Sequence, residues 1–244
     1  MLDPDFDCPN GCDANGFLFD ETTRSAYACT CREERLRRQV HADMEDNVGR
    51  YAPSRFQNLD FSELPLSGIA ERHTAAASVV RRFGDRIDDN IRKGQGLWLL
   101  GNKGTGKTTL AYYVAQQARA GGFSVLTRNT TDLLNEIRDS YKVDAQPTTR
   151  EIINAVTHVD LLHLEDVAVP RPNDWVLEQL YTIVNRRYEY NKAIVFTSDF
   201  PFGEHVNPAK LGEHIGERTY SRLMQMVGDP IPMTGADYRM QVGA

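Results

Sequence analysis

After Cys31 the chain has no cysteine at all; its four thiols lie within the first 31 of 244 residues. A disulfide framework spread through the fold is therefore excluded. No apolar run approaches the ~20 residues that cross a bilayer. The N-terminus is acidic and lacks the basic-then-apolar pattern of a secretory leader, so a cytoplasmic protein without a membrane partner is expected. Positive charge is in deficit: 28 Lys and Arg against 34 Asp and Glu give a net charge of −6. That excludes a general basic coat for nucleic acid but leaves room for a local cationic track. Internal repeats and low-complexity segments are absent. What remains is an ordinary globular composition, 41% hydrophobic and 25% charged. The length suits one large domain, or one domain with a small module.

The cysteines form two close pairs, Cys8-Pro9-Asn10-Gly11-Cys12 and Cys29-Thr30-Cys31. Two pairs separated by a loop bring four thiolates around one tetrahedral Zn²⁺. Gly11 and Gly16 suit the tight turns, and Phe17, Phe19 and Tyr27 suit a small strand pair between the cysteines. A segment of ~30 residues has too little core to fold without such a staple. The alternatives are reduced surface thiols, or disulfides in an oxidising compartment. His41 is a substitute ligand candidate, although a lone histidine is commonly a surface side chain. The charged run Arg32 to Arg38 suits a helix, either solvated or facing a partner. These features divide the chain into a zinc-binding module with its helix over 1–45, a linker over 46–68 and a large domain over 69–244.

The large domain opens with a helical period over 69–91, with Ala76, Val79, Val80 and Phe83 on one side and Gly84 as a possible interruption. Then comes Gly101-Asn102-Lys103-Gly104-Thr105-Gly106-Lys107-Thr108, which fits G-x-x-x-x-G-K-[ST] at every fixed position. The apolar run 97–100 precedes it, and a helical segment starting at Lys107 follows. Glycines in a strand-to-helix turn let backbone N–H groups wrap phosphate oxygens, helped by the positive helix end. Lys107 reaches the β- and γ-phosphates, and the Thr108 hydroxyl is a ligand for Mg²⁺.

Beyond the loop, strands are expected at 123–128, 159–165 and 193–198, and helices at 107–120, 131–141, 147–156 and 174–190. This alternation implies an α/β fold, a parallel sheet with helices on both faces. The strand over 159–165 ends in Glu165-Asp166. Beside a phosphate loop, one such carboxylate serves the Mg²⁺ shell and the other orients the attacking water. His163 reads as a packed strand residue. The next strand ends in Thr197-Ser198-Asp199, any of which suits a hydrogen bond to water or phosphate. Arg218 and Arg222, four apart, share a helix face; they are surface arginines or, presented to a neighbour's nucleotide, an arginine finger.

The stretches Gly101 to Thr109, Val159 to Val167, Thr197 to Asp199, Gly216 to Leu223 and Gly235 to Arg239 together resemble the DnaC/DnaI-type replicative helicase loaders. These are a branch of the AAA+ ATPases that also holds the IstB-type transposition ATPases. The resemblance covers roughly 52–244, with Ala52 to Phe56 and Phe61 at its entry. It implies that Arg222 is the arginine finger with Arg218 as its helper, that Asp199 takes the sensor 1 position, and that Arg239 is a sensor-like nucleotide contact. It also implies that Arg138, Tyr141 and Lys142 bind single-stranded DNA, a ring for a base and cations for phosphates. Two departures bear on rate: the usual Asp-Glu is here Glu165-Asp166, and the usual sensor asparagine is Asp199. Only a short tail follows Gly235, so no helical lid is expected. The implied activity is slow ATP hydrolysis with ATP, Mg²⁺ and Zn²⁺ as cofactors. Self-association through the ATPase domain and a DnaB-like replicative helicase are the implied partners. The alternatives are an IstB-like partner of a transposase and a nucleotide-switched adaptor with little catalysis.

Overall fold

Two four-residue strands cannot bury a core, yet β1 (Phe17–Asp20) and β2 (Ser25–Ala28) pair antiparallel, from Phe17 opposite Ala28 to Asp20 opposite Ser25. The Asp20 carboxylate fixes their turn by accepting from the N–H groups of Thr22 and Thr23 at 2.8 and 3.3 Å. Phe19 and Tyr27 remain 64% and 55% exposed, so this hairpin needs another source of stability. The computed structural model describes residues 8–13, 16–32, 69–167, 172–199 and 210–238. The chain divides into two compact units, Met1–Arg50 and Tyr51–Ala244.

In the larger unit the apolar run before the phosphate loop becomes β3 (Leu97–Gly101), buried along its whole length. A strand with no polar face needs cover on both sides, which a central parallel strand receives. With β4 (Val125–Asn129), β5 (Leu161–Glu165), β6 (Ala193–Ser198) and β7 (Ile231–Met233) it forms a parallel sheet in the order β4-β5-β6-β3-β7. The expected α/β architecture is therefore present. β7 was not expected from sequence: it is three residues long and contains Pro232, which an edge strand tolerates.

The helical stretch expected over 69–91 is three helices: α1 (Ile69–Arg72), α2 (Thr74–Asp85) and α3 (Ile87–Arg92). The break between α2 and α3 falls at Arg86, two residues past the expected Gly84. Gly84 itself is the buried penultimate residue of α2, where a Cβ would come within 2.9 Å of Tyr113 on α4 (Lys107–Ala120). The glycine lets the two helices approach.

Downstream helix starts follow their caps. α5 (Thr130–Asp139) begins where the Asn129 side chain accepts from Thr131 and Asp132 N–H. α6 (Thr149–His158) begins after a reciprocal Thr148–Glu151 capping box. α7 (Asp174–Glu189) begins after Asn173, whose side chain accepts from Val176 N–H. α8 (Lys210–Ile215) and α9 (Glu217–Val227) follow, hinged at Gly216 with φ +84°. Arg187 of α7 is fully buried, and burial lowers its pKa to about 9. Its guanidinium donates to the carbonyls of Val156, Val159, Asp160 and Ala193. It thereby fixes the end of α6 against the starts of β5 and β6, the strands that carry the candidate acids.

Candidate functional site

The loop after β3 folds around its own side chains. Gly104 and Gly106 adopt φ of +73° and +96°, conformations that cost other residues strain. A Cβ on Gly106 would meet Ile69 at 2.8 Å. Thr105 is fully buried and donates from its hydroxyl to Asn102 O at 2.9 Å. α4 starts at Lys107 with Gly106 as N-cap and no side-chain cap, so its first-turn N–H groups face the loop without a protein side-chain acceptor at the cap. Lys107 is 5% exposed; its Nζ donates to the carbonyls of Gly101 and Asn102 at 3.1 and 2.7 Å.

The Asp199 carboxylate, just past β6, pairs with Lys107 Nζ at 2.7 Å. The structure thus joins two of the sequence candidates directly. Lys103 is exposed, and Thr108 and Thr109 are partly exposed in and beside the first turn of α4. A glycine cradle, a buried cation and a helix N-terminus make a site that fits a polyphosphate.

Glu165 ends β5. Its main-chain carbonyl accepts from the Thr130 hydroxyl at 2.6 Å, and the next two N–H groups are held by Thr197 of β6. His163 Nε2 lies 3.9 Å from Glu165 Oε1. His163 is fully buried, and that burial lowers its pKa to about 3, so the contact is between a neutral imidazole and the acid. The Tyr112 ring meets it edge-on, centroids 5.1 Å apart, in keeping with a packed strand residue. Asp166 is exposed at φ +53°, a left-handed conformation that Asp adopts far more readily than longer side chains. This gives the order Glu165-Asp166 a local reason: the backbone at 166 suits the shorter acid. Thr108 and Glu165 carry oxygen donors of the kind Mg²⁺ takes, an ion whose chemistry is to neutralise phosphate charge. Asp166→Asn is expected to leave thermal stability within a few degrees and to lower single-turnover hydrolysis on the order of 100-fold. Calorimetry and rapid-quench measurements together check it; equal rates in both proteins exclude Asp166 from the chemistry.

Arg218 is exposed on α9. Arg222, one turn later, lies over the rings of Tyr181 and Tyr188 of α7, at 5.1 and 6.0 Å from their centroids. It also donates to Arg218 O at 3.3 Å. Arg239 and His41 lie outside the described residues.

At the far end of α5, Arg138 and Tyr141 come together around a residue the sequence reading missed. The Arg138 guanidinium sits 4.9 Å from the Trp175 ring centroid, and Trp175 Nε1 donates to Tyr141 Oη at 3.2 Å. Tyr141 is 56% exposed. Lys142, exposed beside them, pairs with Asp139 at 2.8 Å. A tryptophan near a helix start is common in helices without function, so its sequence neighbourhood gave no signal.

In the smaller unit the Sγ atoms of Cys8, Cys12, Cys29 and Cys31 all lie within 4.8 Å of one another. Cys8 to Cys29 is 3.7 Å, and Cys31 is 3.4 Å from both Cys8 and Cys12. A Zn²⁺ with Zn–S bonds of ~2.3 Å needs S···S separations of about 3.8 Å, so the cluster fits. Its thiols are pulled apart in acidity. Hydrogen bonding, first from the Cys12 backbone, lowers Cys8 to about 6, while desolvation and neighbouring sulfurs push Cys31 up to about 12. A bound Zn²⁺ would hold all four as thiolates. The Asn10 side chain donates to Cys29 Sγ at 3.5 Å, bracing the first turn against the second.

A family model described as IstB-like ATP binding protein matches residues 84–241, more than half of the chain. The phage-like element PBSX protein XkdC of Bacillus subtilis is 25% identical over 96% of this chain and 85% of its own length. The replicative helicase loader DnaC of Escherichia coli is 24% identical over 68% of this chain and 63% of its own length, so under two thirds of that relative is spanned. A crystal structure of the DnaC helicase loader superposes with a TM-score of 0.62 at 21% identity, covering 74% of this chain and 99% of that one, a likeness of fold.

Proposed function

We propose that this chain, which belongs to the family of IstB-like ATP-binding proteins, is an ATP-dependent loader that places a replicative DNA helicase on single-stranded DNA. The observation that carries the reading is the set of strand ends on one sheet. β3 presents the phosphate loop with its buried lysine, β5 presents Glu165 and Asp166, and β6 presents Asp199 on that lysine. Ligands of open parallel sheets bind at such carboxyl ends. The likeness to DnaC supports the choice of a helicase over other partners.

In this reading the loop N–H groups and Lys107 bind the triphosphate. The departing Lys107–Asp199 pair frees the ammonium for the phosphates, and Asp166 orients the water. Arg239 contacts the nucleotide. The zinc module carries the helicase contact. Arg138, Tyr141 and Lys142, with Trp175, hold single-stranded DNA by ring stacking and phosphate pairing. The family's insertion-sequence members make a transposase partner the second reading. Binding of purified helicase and transposase, each tested with ATP and with ADP, separates them. Helicase retention that depends on ATP supports the loader; retention of the transposase alone overturns it.

The DNA reading has its own optical test, because Trp98 is 1% exposed and Trp175 is not buried. Adding oligo(dT) is expected to quench tryptophan emission in the wild type and not in Trp175→Phe, and Arg138→Ala is expected to weaken binding about tenfold. Unchanged emission at saturating DNA would remove this patch from the DNA path. The finger reading requires Arg222 to leave the two tyrosines for a neighbour's nucleotide. Turnover should then rise with protein concentration and fall on the order of 1,000-fold in Arg222→Ala, with ATP affinity kept. Turnover independent of concentration and of Arg222 contradicts a finger acting between copies.

A further inference from the structure

The segment that follows β7 returns to the phosphate loop and is fastened there at several points. The Asn102 side-chain amide donates to Gly235 O at 3.3 Å, and Tyr238 N–H donates to Gly104 O at 3.2 Å. The Tyr238 ring is capped by the Arg72 guanidinium, 3.9 Å from its centroid, and met edge-on by His73 at 6.2 Å. Between the two hydrogen-bonded points, Asp237 presses directly on the loop: a Cβ on Gly104 would stand 1.7 Å from Asp237 Oδ1 and 2.1 Å from its Cγ. The glycine is what allows the carboxylate to lie there. A second acid, Asp199, already sits on Lys107. A loop built to wrap anions is thus flanked by two carboxylates.

We propose that Asp237 is a charge-selecting residue of the nucleotide site, disfavouring a free triphosphate against one that carries a divalent cation. The inference rests on the nucleotide reading above. A carboxylate against Gly104 lies directly beside the backbone that would wrap a phosphate. In a partly buried setting, repulsion grows with each negative charge on the ligand. A bare triphosphate carries roughly twice the charge of its Mg²⁺ complex, so Asp237 penalises it more. The segment's fastening by Asn102, Gly104 and Arg72 keeps the carboxylate from swinging clear. A binding site with only a lysine and glycines would lack this discrimination.

The test is fluorescence titration of mant-ATP, in EDTA and in Mg²⁺, against wild type, Asp237→Asn and Asp237→Ala, with folding checked by circular dichroism. In EDTA both variants are expected to bind on the order of tenfold more tightly than wild type, and in Mg²⁺ only about threefold. The gain should shrink as KCl is raised, because the interaction is screened. Equal gains in EDTA and Mg²⁺, a gain in Asp237→Ala but not in Asp237→Asn, or no gain in either would overturn the proposal. The second of these would assign Asp237 a steric role. Absence of mant-ATP binding in all three folded proteins would instead overturn the nucleotide reading, and this inference with it.

Discussion

Lys107→Ala is expected to lower ATP affinity by at least about 100-fold while the domain stays folded. The lysine's Nζ makes three contacts within the loop region, to Gly101 O, Asn102 O and Asp199. Once phosphates are bound, those bonds are exchanged for charge-assisted ones, each worth roughly 1.5–3 kcal/mol. Two such bonds lost amount to about 3–6 kcal/mol, and each 1.4 kcal/mol is a factor of ten in affinity. The cost to stability is smaller. Asp199 keeps 26% of its side chain in water and recovers solvation when its partner goes. The loop carbonyls of Gly101 and Asn102 lose a donor, the first buried and the second partly so. Together these cost about 1–2 kcal/mol, or a fall in Tm of roughly 2–8 °C for a domain of this size. Isothermal titration with ATP and a thermal melt on the same sample check both halves. Wild-type affinity in Lys107→Ala would mean that the loop does not bind phosphate through this residue.

The second large effect belongs to the cysteines. Cys29→Ser combined with Cys31→Ser is expected to abolish zinc binding and unfold residues 8–32, leaving ATP affinity within about twofold of wild type. The reason is the poverty of the module's own packing. Gly16 and Cys29 are its only buried residues among those described, and Phe19 and Tyr27 of its hairpin face water. Against this, a structural zinc site contributes on the order of 10–16 kcal/mol. Without the metal nothing of comparable size holds the hairpin. Metal analysis should give one zinc per wild-type chain and none in the variant. Limited proteolysis should cut the variant within this module while sparing the larger unit, and helicase binding should weaken. Reduced, intact wild-type protein with far less than one zinc per chain would contradict the assignment.

Where residues spoke through local chemistry, the sequence was legible. The loop from Gly101 to Thr108 announced itself because wrapping phosphate demands glycine at fixed places, and those glycines take the left-handed or crowded positions. The strands expected over 97–100 and 193–198 were visible because a short, largely apolar run suits a buried position in an α/β sheet, and the first extends one residue further, to Gly101. The four cysteines were legible as a cluster, since a tetrahedral thiolate site needs two close pairs.

What was not legible depends on contacts between distant residues. The Lys107–Asp199 pair joins the first residue of α4 to the residue just past β6, and no spacing rule links them. Gly84 looked like a helix breaker because the crowding that requires it comes from Tyr113 on another helix. β7 was hidden by its length and its proline. Trp175 and Asp237 are ordinary in their own neighbourhoods; only the fold brings one to Tyr141 and the other to Gly104.

The proposed role, using ATP to place a replicative helicase on DNA, is open to a direct assay. The most direct measurement mixes purified hexameric helicase with circular single-stranded DNA, with and without this protein, in ATP or ADP, and isolates the circles by gel filtration. Helicase is expected to accompany the circles when wild-type protein and ATP are both present, and to fall to background with ADP or with Lys107→Ala. Equal helicase on the circles with and without this protein, in every nucleotide, would contradict it.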